Sequence, residues 1–148
     1  MLTVGLGQIN PWVGHLSYNL EKIKSYFGQC QSQEIDLAIF PECALTGYPL
    51  EDLVLKPHFL EKVEQAIHEL RATTVGHKTA LLIGAPWLQD DKIINAALFI
   101  QEGVIQHIIP KHMLPNYGVF DEKRVYNSGE MLKPIPFKSL KLGVMICE

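Results

Sequence analysis

Hydrophobic and polar positions along this chain switch between two periods, and the switches mark its elements. Residues 2–9, LTVGLGQI, form a short apolar run stopped by Asn10-Pro11, which predicts a strand. In SYNLEKIKSYFGQCQ the residues Leu20, Ile23, Phe27 and Cys30 recur every three or four positions. That spacing predicts a helix with one apolar face and Ser17 as its N-cap. Residues 36–40, DLAIF, predict a second strand running into Pro41-Glu42. ALTGYPLEDLVLK carries turn signals and no period, so it reads as a loop. Pro57 opens a second helix with Leu60, Val63, Ile67 and Leu70 on its apolar face and Phe59 and Ala66 beside them. Proline suits a first turn, where its missing N–H would have had no partner.

From Thr79 the period becomes that of strands: TALLIGAPW, KIINAALFI and GVIQHII, separated by Gln89-Asp90-Asp91 and Gln101-Glu102-Gly103. Connections this short cannot make a crossover, so these strands are predicted to be antiparallel neighbours. A loop of about twenty residues follows, HMLPNYGVFDEKRVYNSGEM, a length that in compact domains usually marks function or disorder. Two more predicted strands, KPIPF and LKLGVMI, lead to Cys147-Glu148. Strands and helices in this order predict an α/β layered domain. Nothing after the last strand would cover the open sheet face, so the sequence reads as the first part of a larger domain.

Composition narrows the function classes. The 148 residues are 47% hydrophobic and 20% charged, which excludes disorder and favours one domain. A net charge of −3, with no Lys/Arg run of four, argues against nucleic acid or an acidic membrane as partner. Cys30, Cys43 and Cys147 cannot all pair, and neither they nor the scattered histidines stand at metal-ligand spacing. Free thiols, no signal-peptide pattern and no apolar run of membrane-spanning length predict a cytoplasmic protein. Gly5-Leu6-Gly7 lacks the third glycine of a dinucleotide fingerprint, and no phosphate-binding Walker loop is present.

Three residues follow predicted strands in the same way: Glu42 after DLAIF, Lys111 after GVIQHII and Cys147 after LKLGVMI. In open α/β sheets ligands gather beyond the carboxyl ends of strands, where a side chain is held rigidly yet reaches the crevice. An acid, a cation and a thiol suffice for amide hydrolysis without a metal. The carboxylate takes the thiol proton, the ammonium steadies the oxyanion, and the acid returns its proton to the leaving amine. Each residue also has an ordinary reading. Cys147 alone reads as a small core hydrophobe, and Glu42 and Lys111 as solvated charges or an ion pair. The residues themselves leave both readings open. Cys30 on the helix face and Cys43, beside no activating residue, read as packing, and His112 as a surface or supporting residue.

The segments PECALTGYPLEDL, PKHMLPNYGVFDEKRVY and KLGVMICE, in that order, resemble the three signature regions of the nitrilase superfamily of carbon–nitrogen hydrolases. More narrowly, TGYPLEDL and LPNYGVFDEKR resemble the N-terminal glutaminase domain of the glutamine-dependent NAD synthetase family, and QINPWVGHLSYNL extends the likeness to the start of the chain. The resemblance implies a catalytic Glu42–Lys111–Cys147 triad acting as base, oxyanion stabiliser and nucleophile. It implies substrate-binding roles for Tyr117, Glu122 and Glu148. Glu122 would position Lys111 or the substrate amide, and Tyr117 would line a glutamine pocket. Glu148 would lie near the α-amino group of the substrate, its backbone N–H completing the oxyanion hole.

The implied fold is an incomplete nitrilase-like αββα sandwich, of which residues 1–148 would form the first half to two-thirds. The implied partners are glutamine as substrate, a synthetase domain absent from this sequence, and further copies of the chain. The glutaminase half would need no cofactor, whereas ATP and magnesium would belong to the synthetase domain. With Glu148 terminal, its α-carboxylate would repel a thiolate at Cys147, so these 148 residues alone are expected to have little or no activity. Two alternatives remain. One is another amidase or carbamoylase of the superfamily, and the other is an inactive truncated chain serving as a binding or oligomerisation module.

Overall fold

A computed structural model, describing residues 1–131 and 133–147, arranges the chain as one helical layer and two β layers. The elements are β1 (Val4–Leu6), α1 (Leu16–Ser32), β2 (Leu37–Ile39), α2 (Pro57–Thr73), β3 (Ala80–Gln89), β4 (Lys92–Gln101), β5 (Val104–Pro110), β6 (Ile135–Phe137) and β7 (Leu140–Leu142). Single 3-10 turns at Glu51–Leu55 and Glu122–Arg124 interrupt the two long loops. Strands β1 to β5 form a sheet in sequence order, and β6 and β7 form a separate hairpin.

The first three strands are parallel, joined by α1 and α2, and β3, β4 and β5 are antiparallel. Right-handed crossovers between strands advancing in one direction put both helices on one face. There Leu20, Ile23 and Phe27 of α1 and Val63, Ile67 and Leu70 of α2 pack on Leu81, Ile83, Leu98 and Ile100. Burying each such side chain stabilises the fold by about 1.5–3 kcal/mol. On the opposite face of the sheet, Leu37 of β2, Leu82 of β3, Ala97 and Phe99 of β4 and Ile109 of β5 form a second core. They meet Ile135 and Phe137 of the hairpin, with Phe99 and Phe137 edge to face at 5.4 Å. The open face expected from the sequence is therefore partly covered, because the hairpin folds back onto it.

Three local departures have simple causes. Strand β1 is shorter than its apolar run: Gly7 N–H still bonds Ile39 O at 2.8 Å, but the chain then turns, Gln8 N–H reaching Leu6 O. Helix α1 begins before Ser17, and His15 is its N-cap, the ring Nδ1 accepting from Tyr18 N–H at 3.3 Å. The third departure bears on the site. Strand β7 ends at Leu142, so Cys147 does not directly follow a paired strand. Residues 143–147 keep the alternation of a strand, with Val144 and Ile146 packed on the second core and Met145 and Cys147 exposed. They have no ladder partner among the described residues.

Candidate active site

Strand direction brings two distant charges to one end of the sheet. Strand β5 runs parallel to β2, since two antiparallel steps separate β3 from β5 and β2 is parallel to β3. Lys111 directly follows β5, whose last residue, Pro110, sits on an edge strand where its missing N–H costs no ladder bond. Glu42 lies three residues beyond β2 and must cross β3 to reach Lys111. Gly84 makes that crossing possible. A β-carbon there would lie 2.4 Å from Pro41 O, 2.5 Å from Cys43 N and 2.7 Å from Glu42 Cα. The bare glycine lets the Pro41–Cys43 backbone lie directly on the strand.

Lys111 sits between two carboxylates. Its Nζ donates to Glu42 Oε1 at 2.8 Å and to Glu122 Oε1 at 2.9 Å. The Lys111 and Glu122 side chains are 2% and 3% exposed, whereas Glu42 is 25% exposed and forms the open side of the group. Burial alone would lower the pKa of the Lys111 ammonium. The hydrogen bonds to Glu42 and Glu122 outweigh it and hold the value above that of an ordinary lysine. The ammonium therefore stays charged where a neutral amine could not steady an oxyanion.

Asn95 of β4, wholly buried in an apolar run, completes the cluster. Its Nδ2 donates to Glu42 Oε1 at 2.6 Å, and its backbone carbonyl accepts from Lys111 N–H at 2.7 Å. The Cys43 Sγ lies 3.7 Å from Asn95 Oδ1. Burial, reinforced by the Glu42 charge, pushes the Cys43 thiol up to about 12, so this sulfur is a proton donor and not a nucleophile. Tyr126 lies against Cys43, and the Tyr48 hydroxyl faces the Glu122 carboxylate; burial raises both phenols above their ordinary value. Tyr48 precedes a cis proline, Pro49.

The third predicted residue makes no hydrogen bond to this cluster among the described residues. Cys147 is exposed, and its sulfur makes no hydrogen bond with the described residues. Its φ of +59° is a conformation that costs an L-residue about 1–2 kcal/mol. It lines a cleft of about 460 Å³ with Met113, Leu114, Asn116, Tyr117 and Lys123, all from the loop after Lys111. Tyr117 is on this wall, its ring edge-on to Phe120 at 5.7 Å. Glu122 belongs to the Lys111 cluster, and Glu148 lies outside the described residues. His112 bonds Gly129 O at 2.8 Å and closes the base of the loop. Sequence reasoning missed Asn95 and Gly84, although a polar residue inside KIINAALFI and a glycine inside a strand were visible signals.

Residues 3–148 match the carbon-nitrogen hydrolase family model, and the chain belongs to that family. Its relatives narrow the class. A glutamine-dependent NAD(+) synthetase from Synechocystis sp. is 38% identical over 155 residues, taking in 100% of this chain and 28% of that protein. One from Aquifex aeolicus is 38% identical over 148 residues, covering 100% and 26%. The ADP complex of the glutamine-dependent NAD+ synthetase from Acinetobacter baumannii superposes with a TM-score of 0.92 at 33% identity, over 99% of this chain and 27% of that one. An amidase from Nesterenkonia sp. shares the fold, with a TM-score of 0.85 at 21% identity over 99% and 55%. The chain thus spans about a quarter of the length of the curated relatives it matches. Among the described residues no helix is long and apolar enough to cross a membrane.

Proposed function

We propose that this chain carries the glutaminase site of a glutamine-dependent NAD synthetase, hydrolysing the side-chain amide of glutamine through a thioester on Cys147. The observation that carries the reading is the buried Lys111 ammonium held between Glu42 and Glu122. Both bonds to Glu42 fall on Oε1, which leaves Oε2 as the atom to accept a proton. In the reaction Glu42 Oε2 takes the Cys147 proton while the sulfur bonds the amide carbon. The oxygen then carries the negative charge, steadied by Lys111. Collapse breaks the carbon–nitrogen bond, Glu42 returns the proton to nitrogen and ammonia leaves. Water, deprotonated by Glu42, attacks the thioester, giving glutamate and restoring the thiol.

The ammonia would pass to a synthetase domain that amidates the adenylated precursor of NAD, and ATP and magnesium belong to that domain. Among the described residues no group of three or more His, Cys, Asp or Glu side chains converges as a metal site. The test is ammonia release from glutamine by the natural full-length protein, with the acyl-enzyme sought by mass spectrometry. A thioester mass on Cys147 and loss of release in Cys147→Ala support the reading. Undiminished release in Cys147→Ala overturns it.

A further inference from the structure

We infer that Asn95 is the positioning residue of Glu42, and that the Cys43 thiol sets the orientation of the Asn95 amide. The inference rests on the amide-hydrolase reading and deepens it. A buried amide is costly unless its groups are bonded, and both ends of Asn95 have partners of opposite kind. Glu42 Oε1, an acceptor, meets Nδ2 at 2.6 Å, and the Cys43 thiol, a donor, stands 3.7 Å from Oδ1. A flipped amide would face its oxygen to a carboxylate and its N–H groups to an S–H. The thiol therefore fixes which end of the amide Glu42 sees. Its protonated state, secured by burial, keeps that instruction constant across neutral pH.

The consequence falls on one torsion. Lys111 alone would let the Glu42 carboxylate rotate about its last bond and offer either oxygen, or both, to the ammonium. With Asn95 as second donor, Oε1 is held by two donors and Oε2 by neither. Asn95 also receives Lys111 N–H on its backbone carbonyl, so one residue of β4 fixes the base and the start of the lysine. The groups facing Glu42 are Lys111 from the end of β5, Glu122, Tyr48 and Tyr126 from the loops, and Cys43 beside it.

The test uses the natural full-length protein with glutamine as substrate. Asn95→Ala should lower kcat about ten- to a hundred-fold, the worth of one hydrogen bond to a charged group, with KM nearly unchanged. Cys43→Ala should show the same pattern more weakly, and Cys43→Ser, which keeps a donor, should restore kcat. Should Asn95→Ala fail to fold, the Cys43→Ala and Cys43→Ser pair decides the matter. Folded Asn95→Ala with unchanged kcat overturns the inference, as do equal rates for Cys43→Ala and Cys43→Ser. Cys147→Ala is run beside them: activity surviving there overturns the hydrolase reading itself, whereas its loss alongside an unaffected Asn95→Ala overturns the positioning role alone.

Discussion

Lys111 and Glu122 form a contact in which both partners are buried, Nζ to Oε1 at 2.9 Å, with Glu42 on the other side of the ammonium at 2.8 Å. Two acids and one base leave the cluster with an excess of negative charge when all are ionised. The fold thus depends on the lysine to keep two carboxylates together. Lys111→Met is expected to destabilise the chain by about 3–5 kcal/mol, the range for breaking a buried pair by removing one partner. Urea denaturation measures it. A loss below about 1 kcal/mol would mean the pair behaves as an exposed one.

Gly84→Ala tests how Glu42 is carried across β3. The added methyl group would meet three backbone atoms of residues 41–43 at 2.4 to 2.7 Å, and backbone cannot swing aside as a flexible side chain can. A loss of about 1–3 kcal/mol from overpacking is expected, together with a fall in amide hydrolysis as Glu42 is pushed off Asn95. Denaturation and ammonia assays on the natural full-length protein check both. Wild-type values in each would show that the crossing has slack.

Asp36 ties the hairpin to the sheet and gives a pH signature. Its carboxylate accepts from Lys138 in the β6–β7 turn and from Thr3 N–H at 2.9 Å. The Lys138 hydrogen bond, helped by Thr3, holds this carboxyl down to about 2, below the roughly 3.9 of an unfolded aspartate. A depressed acid stabilises the fold fully above its unfolded value and loses that contribution as pH falls through its folded value. The stability gap between wild type and Asp36→Asn should therefore be constant from pH 5 to 7 and close between about pH 4 and 2. A gap that stays constant to pH 2 would remove Asp36 from the account.

The three thiols should separate by access. Iodoacetamide is expected to alkylate exposed Cys147 first, half-buried Cys30 more slowly, and Cys43 only on unfolding, because Cys43 is fully buried and its thiol is pushed up to about 12. Peptide mass mapping over time reads the order. Modification of Cys43 in the folded protein at a rate near that of Cys147 would contradict the packing around Asn95.

Much of this architecture was legible in the sequence. Helix α2 and strands β3 to β5 lie where their periods place them, because long elements repeat their burial signal many times. Short β1 and β2 were found but overrun at their ends, since three paired residues carry little pattern and a turn such as Gly7–Gln8 is set by tertiary contact. At the site, Glu42 and Lys111 were readable as residues beyond strands. Asn95 was not, because its role exists only once β4 is seen to lie between them. Nor was the irregular path to Cys147, where the sequence alternates like a strand and the described residues supply no neighbour to pair with it.

That path has a consequence in parity. Leu142, Val144 and Ile146 turn toward the second core on every second residue, and Met145 between them turns out to water. Deleting Gly143 would exchange the two sides, sending the methionine into the apolar layer and Val144 and Ile146 out to water. The distance along the backbone matters less here than whether it is odd or even.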